Sequence, residues 1–371
     1  MIELIVRKAF LTALLNQGIR TERSNIVVTS PFLDLDLMGV NLTKPSVDWI
    51  VERGKFDAAY SEVQTKVADP LLGREIPSYS DLKDAMESSL LVPPENLKQI
   101  EAELRTIDTR RAGSALHPAR TMVAIDTNLA YHRLMSRLPL ASDTCGIPEF
   151  DASHLQLVIE NLVELEISEK VGRKYRDADL EVLRRAFKSP RLVGALTNCL
   201  MKDGRKALNA QTEIAAIRER YAVWDVSGGA WNEDKEKRDG EIVRSLSNHA
   251  KEENVGMLFL SADDKASAAA SASRLPTMIL RYGHELPRMV PYDPWLFVEF
   301  LYDLSIMFGV IGITGLGVRV YGDWAGKRAD DYHAERVRLE FEDSSPLASE
   351  LARQNTVCER LRREVDFAAI E

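Results

Sequence analysis

The chain has 371 residues, 45% of them apolar and 28% charged, with a formal charge of −9. That length suits two or three domains with real cores, and the composition excludes wholesale disorder and fibrous repeats. The acidic total excludes nucleic-acid binding by bulk charge alone, and three scattered cysteines (Cys145, Cys199 and Cys358) exclude a disulfide framework.

Residues 1–115 read as a mostly helical N-terminal region whose role the sequence does not define. Apolar periodicity predicts an amphipathic helix over 2–15, a short strand over 25–29, and helices over 46–66 and 96–110. Proline breaks fall at Pro70, Pro77 and Pro93-Pro94. Residues 1–8 carry an acid at position 3 and do not pattern as an export leader, so a reducing, cytoplasmic setting is expected. Residues 110–118 read as a linker.

The middle region, 116–285, alternates short apolar runs with helical patterns. The runs are 121–126, 155–159, 256–260 and 277–280. Helical patterns cover 128–138, 160–175, 178–188, 205–219, 239–253 and 264–274. This alternation predicts an α/β domain with a mainly parallel sheet sandwiched by helices.

Residues 286–371 read as an α+β extension. A helix is expected over 294–308, strands over 317–321 and 335–341, and a polar helix over 346–364. The apolar stretch 295–320 carries Glu299 and Asp303, which are costly in hydrocarbon. It reads as a buried helix followed by a strand, with no membrane span.

Acids recur where the middle-region strands end. Asp126 directly follows Val-Ala-Ile, Asp263 and Asp264 follow the third run, and Asp239 opens the helix before it. The second run leads into a helix bearing Glu160, Glu164 and Glu166. Taken singly, each aspartate before a helix is explained as an N-cap and each helical glutamate as a solvated side chain. Taken together they mark the carboxyl ends of parallel strands, where ligands bind.

The motifs Val123-Ala-Ile-Asp-Thr-Asn128, Val158-Ile-Glu-Asn-Leu-Val-Glu-Leu-Glu166, Asp239-Gly-Glu-Ile-Val-Arg and Met257-Leu-Phe-Leu-Ser-Ala-Asp-Asp-Lys265 occur in that order, before the Ala-rich 268–270. In this order the middle region resembles the PIN domain, a nuclease fold related to the flap-endonuclease core. The resemblance implies a catalytic set of Asp126, Glu166, Asp239 and Asp263. Asn128 and Asp264 would assist, and Asp126, Asp239 and Asp263 would hold the metal. The second acid is open between Glu166, which we prefer, and Glu164. The two lie about 200° apart on the helix wheel, so only one faces the site. The span between Glu166 and Asp239 is longer than the family pattern and must house extra helices.

Several carboxylates close together need a counter-charge. An all-oxygen set suits Mg²⁺ or Mn²⁺, which would activate water for phosphodiester hydrolysis. The expected activity is therefore that of a metal-dependent endoribonuclease. RNA is the implied partner, with structured or single-stranded DNA as the variant substrate, and a homo-oligomer is implied by analogy. A catalytically silent RNA-binding or assembly module of the same fold is the alternative.

Phosphate would be held by the basic run 170–191. Its candidate contacts are Arg173, Lys174, Arg176, Arg184, Arg185 and Lys188, with Lys170 and Arg191 beside them. Tyr175 and Phe187 interleave and suit base stacking, or else belong to a core. Lys202, Arg205 and Lys206 form a smaller basic group. The six histidines show no zinc spacing, no P-loop occurs, and 312–317 reads as a strand approach or turn.

Overall fold

The computed structural model describes residues 2–112, 120–140, 154–342 and 346–368. Most of the 110–118 linker, Cys145 and His117 lie outside these. Among the described residues thirteen strands follow in chain order. The first four are β1 (Ile2–Arg7), β2 (Asn25–Ser30), β3 (Leu35–Asn41) and β4 (Ser46–Ile50). Next come β5 (Thr121–Ile125), β6 (Gln156–Glu160), β7 (Ala222–Val226), β8 (Gly256–Ser261) and β9 (Thr277–Ile279). The last are β10 (Val290–Pro291), β11 (Val310–Thr314), β12 (Val318–Tyr321) and β13 (Arg336–Phe341). The chain forms two compact units, one of residues 1–85, 174–202 and 287–371, the other of 86–173 and 203–286.

The first unit carries an eight-stranded antiparallel sheet in the order β1-β13-β12-β11-β2-β3-β4-β10. The ends of the chain thus share one sheet, and β1 pairs with β13 along its whole length, from Ile2 opposite Phe341 to Arg7 opposite Arg336. This corrects the expectation of a mostly helical N-terminal region separate from a C-terminal extension. The helix expected over 2–15 is β1 followed by a helix at Leu11–Arg20, and that over 46–66 is β4 followed by Arg53–Gln64. Apolar residues were plentiful there, but local periodicity does not see a partner strand more than three hundred residues away.

The helix Pro294–Phe308 is the hydrophobic axis of this unit. Asp293 caps it through the Trp295 N–H at 2.8 Å, Pro294 opens it, and every residue from Leu296 to Phe308 is buried. Glu299 is buried too, but neutralised by Lys8 at 2.6 Å. The chain then turns at Gly309, with φ +78°, into β11, which is the helix-then-strand expected from the sequence. Among the described residues no helix is long and apolar enough to cross a membrane. Gly322 lets β12 run directly against this helix, because a Cβ there would lie 2.3 Å from the Ser305 backbone. The 312–317 segment is the end of β11 and the hairpin turn into β12, with Gly315 and Gly317 in the turn at positive φ.

The second unit carries an all-parallel sheet in the order β7-β6-β5-β8-β9 with helices packed on it, as the α/β reading requires. Its core is made of Val123, Ile125, Val158, Ile159, Phe259 and Leu260, all fully or nearly fully buried. Ala266 and Ala270 give the helix Asp264–Ala272 its close approach to the core. The sequence reading found four of the five strands and missed β7. That strand is short, sits at the sheet edge and is largely exposed, so no apolar run announces it.

Candidate functional site

The chain enters the second sheet at β5, adds β6 and β7 on one side, then returns to add β8 and β9 on the other. The order therefore reverses between β5 and β8. A crevice opens beyond the carboxyl ends of strands at such a reversal, and ligands of open α/β sheets bind there.

Asp126 and Asp263 stand on the two sides of that reversal. Asp126 follows β5 and caps the helix Thr127–His132, accepting the Leu129 N–H at 2.7 Å. Its other oxygen accepts the Ser261 hydroxyl from the end of β8 at 2.6 Å. Asp263 caps the helix Asp264–Ala272 through the Lys265 N–H at 2.9 Å and also accepts from Asn128 Nδ2 at 3.2 Å. Asn128 thus links the two sides. Of the aspartates expected as N-caps, Asp239 lies inside the helix Lys235–Glu252, which Asp234 caps, and Asp264 is the first residue after the cap Asp263.

The two aspartates sit in opposite electrostatic settings. Burial pushes the Asp126 carboxyl up to about 7, against the Ser261 and Leu129 hydrogen bonds, and the charges of Asp263 and Asp239 add to the rise. Among the described residues Asp126 is bonded by neutral donors only. Asp263 is held below the ordinary carboxylate range: burial opposes this, but the Lys265 N–H and the Lys235 ammonium, 3.2 Å away, outweigh it. Asp239, half-buried on the helix Lys235–Glu252, is raised chiefly by burial; Lys235 offsets this and Glu166 and Asp263 add to it.

The ambiguity over the second acid has a structural outcome. Glu166 is buried, accepts the Thr127 hydroxyl at 2.7 Å and pairs with Arg238 at 3.2 Å. Glu164 projects to another face of the same helix, where Arg218 bonds it at 2.7 Å. Glu166 therefore belongs with Thr127, the neighbour of Asp126, and Glu164 does not. Asp264 is exposed. Two further groups escaped the sequence reading as site residues. Glu160 ends β6 as Asp126 ends β5; it is fully buried and accepts the N–H groups of Leu162 at 2.5 Å and Gly229 at 3.1 Å. Ser261 binds Asp126. Both follow apolar strand runs directly, which was the available signal.

As they stand, no three His, Cys, Asp or Glu side chains among the described residues are grouped so as to hold a metal ion. The donor chemistry nevertheless fits a hard divalent cation. The acids are oxygen ligands, and Asp126 is a buried carboxyl to which no cation is bonded among the described residues. Lys235 and Arg238 supply positive charge to Asp263 and Glu166.

The basic run divides differently from the expectation. Arg173 lies in the second unit, whereas Lys174, Arg176, Arg184, Arg185 and Lys188 lie in the first. Arg184 and Arg185 pair with Glu181, and Lys188 pairs with Glu62. Tyr175 and Phe187 are core residues. The Tyr175 hydroxyl donates to Glu75, and Phe187 stacks on Phe32 with ring centroids 4.2 Å apart. Neither is open for base stacking. Lys202 is likewise buried and paired with Asp81 at 2.7 Å, and Arg205 is buried.

No family model matches the chain, and no curated protein matches it. Among solved structures, a domain of a functionally unknown protein from Methanocaldococcus jannaschii is similar at 15% identity, with a TM-score of 0.25, over 45% of this chain and 96% of that one.

Proposed function

We propose that the second unit is a metal-dependent phosphodiesterase of PIN-like type, most simply an endoribonuclease. The observation that carries this is Asp126. A carboxyl buried at the β5–β8 reversal, raised to about 7 and flanked by the like charges of Asp263 and Asp239, is a poised acidic centre. Asp126, Asp239 and Asp263 would hold Mg²⁺ or Mn²⁺. The ion, when bound, would lower the pKa of a water and offset charge on the phosphate. The chain's own part is to orient and insulate. Ser261 and the Leu129 N–H fix both oxygens of Asp126, Asn128 fixes Asp263, and Thr127 with Arg238 fixes Glu166. The exposed Arg173 is a phosphate contact in the same unit.

A second reading has an observation of its own. Lys235 and Arg238 already answer two of the acids, which suits a silent RNA-binding or assembly module. Incubation of mixed RNA and single-stranded DNA, with and without Mn²⁺, separates the two readings. The nuclease reading expects Mn²⁺-dependent cleavage that Asp126→Asn abolishes while the protein stays folded. Cleavage that survives both this substitution and EDTA refutes it.

A further inference from the structure

The helix Lys235–Glu252 presents Lys235, Arg238 and Asp239, spaced i, i+3 and i+4, on one face. Lys235 Nζ lies 3.2 Å from Asp263 Oδ2, the same oxygen that accepts from Asn128. Arg238 lies 3.2 Å from Glu166. The first turn of this helix thus delivers one cation each to Asp263 and Glu166.

The two cations differ in how firmly they are held. Arg238 is 9% exposed at its side chain, stacks on Trp231 at 4.7 Å and donates to the carbonyls of Asn232 and Glu233 at 3.0 and 3.3 Å. It is pinned from several directions. The Lys235 side chain is 52% exposed and, among the described residues, makes one ion pair, through a flexible four-carbon stem. A half-exposed ion pair of this kind is weak and readily exchanged. A divalent ion placed among Asp126, Asp239 and Asp263 would compete with that ammonium for Asp263.

Resting on the metal reading above, we propose that Lys235 is the built-in, displaceable counter-ion of the carboxylate site. It satisfies Asp263 in the metal-free protein and must leave when a divalent ion binds. The lysine thereby sets metal affinity: the site takes metal less tightly than its acids alone would, and opens to it by moving one side chain. Arg238 stays in place and keeps Glu166 oriented.

The test is a Mn²⁺ titration of the full chain, followed by the electron paramagnetic resonance signal of free Mn²⁺. Wild type is compared with Lys235→Met, Lys235→Arg and Lys237→Met. Lys237 lies on the same helix and, among the described residues, pairs with Asp234 at 3.7 Å rather than with Asp126, Asp239 or Asp263, so it controls for net charge. Lys235→Met is expected to tighten Kd roughly fivefold, the scale of one surface ion pair. Lys235→Arg and Lys237→Met are expected to match wild type, and adding Asp263→Asn to Lys235→Met should abolish the gain. Melting curves check that each variant folds. Equal Kd for wild type and Lys235→Met, or weaker binding by the variant, overturns the proposal and leaves the metal reading standing. Absence of Mn²⁺ binding in every protein overturns both.

Discussion

The Ser261 hydroxyl donates to Asp126 Oδ2 at 2.6 Å, joining the ends of β8 and β5 across the point where the strand order reverses. The backbone reinforces the same seam, since the Asp126 N–H donates to the Leu260 carbonyl at 3.3 Å. Both side chains are buried. Ser261→Ala leaves one oxygen of a buried carboxyl unsatisfied and should cost about 1–3 kcal/mol in urea unfolding. The loss should be larger at pH 8, where the carboxyl is charged, than at pH 5. An equal loss at both values would mean that the bond does not discriminate between the two forms of the acid.

Asp126 should also shape the pH dependence of stability in metal-free buffer. Its carboxyl is raised from 3.8 to about 7 on folding, chiefly by burial. Between those values the folded chain holds a proton that the unfolded chain has released. Stability contributed at low pH therefore falls as pH rises through this window, by about 4 kcal/mol in all at the scale of 1.4 kcal/mol per pH step. Asp126→Asn removes the titration while keeping an oxygen for the Leu129 N–H. Its stability profile between pH 4 and 8 should be flatter than that of wild type. Asp263, held low, acts in the opposite direction, giving stability above its unfolded value that is lost as pH falls.

The site was more legible in the sequence than the first unit was. Asp126 and Asp263 could be named because each follows a short apolar run at the carboxyl end of a parallel strand, whereas Asp239 lies a turn inside the helix Lys235–Glu252 rather than at its start. The sheet of the first unit could not be read this way. Its partners are β1 with β13 and β2 with β11, pairings of distant segments that leave no local trace. The aromatics of 170–191 stayed open between stacking and core for a related reason. Tyr175 and Phe187 are interleaved with exposed cations, but their burial depends on Glu75 and Phe32, about a hundred residues or more away in the chain. Lys235 lay outside the recognised motifs. Its meaning comes from Asp263, which only the fold brings near.

Those aromatics take the core alternative, and a prediction follows from it. Phe187 is 3% exposed and stacked on Phe32, so Phe187→Ala should destabilise the protein by about 3–5 kcal/mol. The measurement is the shift of the urea midpoint. Phe187→Leu keeps most of the volume and should cost about 1–2 kcal/mol. If the role were base stacking, RNA affinity of the folded Phe187→Leu protein would fall while stability held.

Glu164 and Glu166 offer the sharpest comparison, because they share one helix and differ in surroundings. Glu164 is partly exposed, and its partner Arg218 also bonds Asp225 at 2.7 Å. Glu164→Gln should change stability by less than about 1 kcal/mol and leave metal-dependent cleavage intact. Glu166 is buried against Thr127 and the equally buried Arg238. Arg238→Ala strands its charge and should cost about 3–5 kcal/mol, while Glu166→Gln keeps the Thr127 bond and should cost less. Paired unfolding and cleavage assays on these three variants read both effects. Loss of Mn²⁺-dependent cleavage in folded Glu166→Gln, with retention in Glu164→Gln, assigns Glu166 to the site. The reverse result would mean that the helix face turned toward Arg218 carries the chemistry.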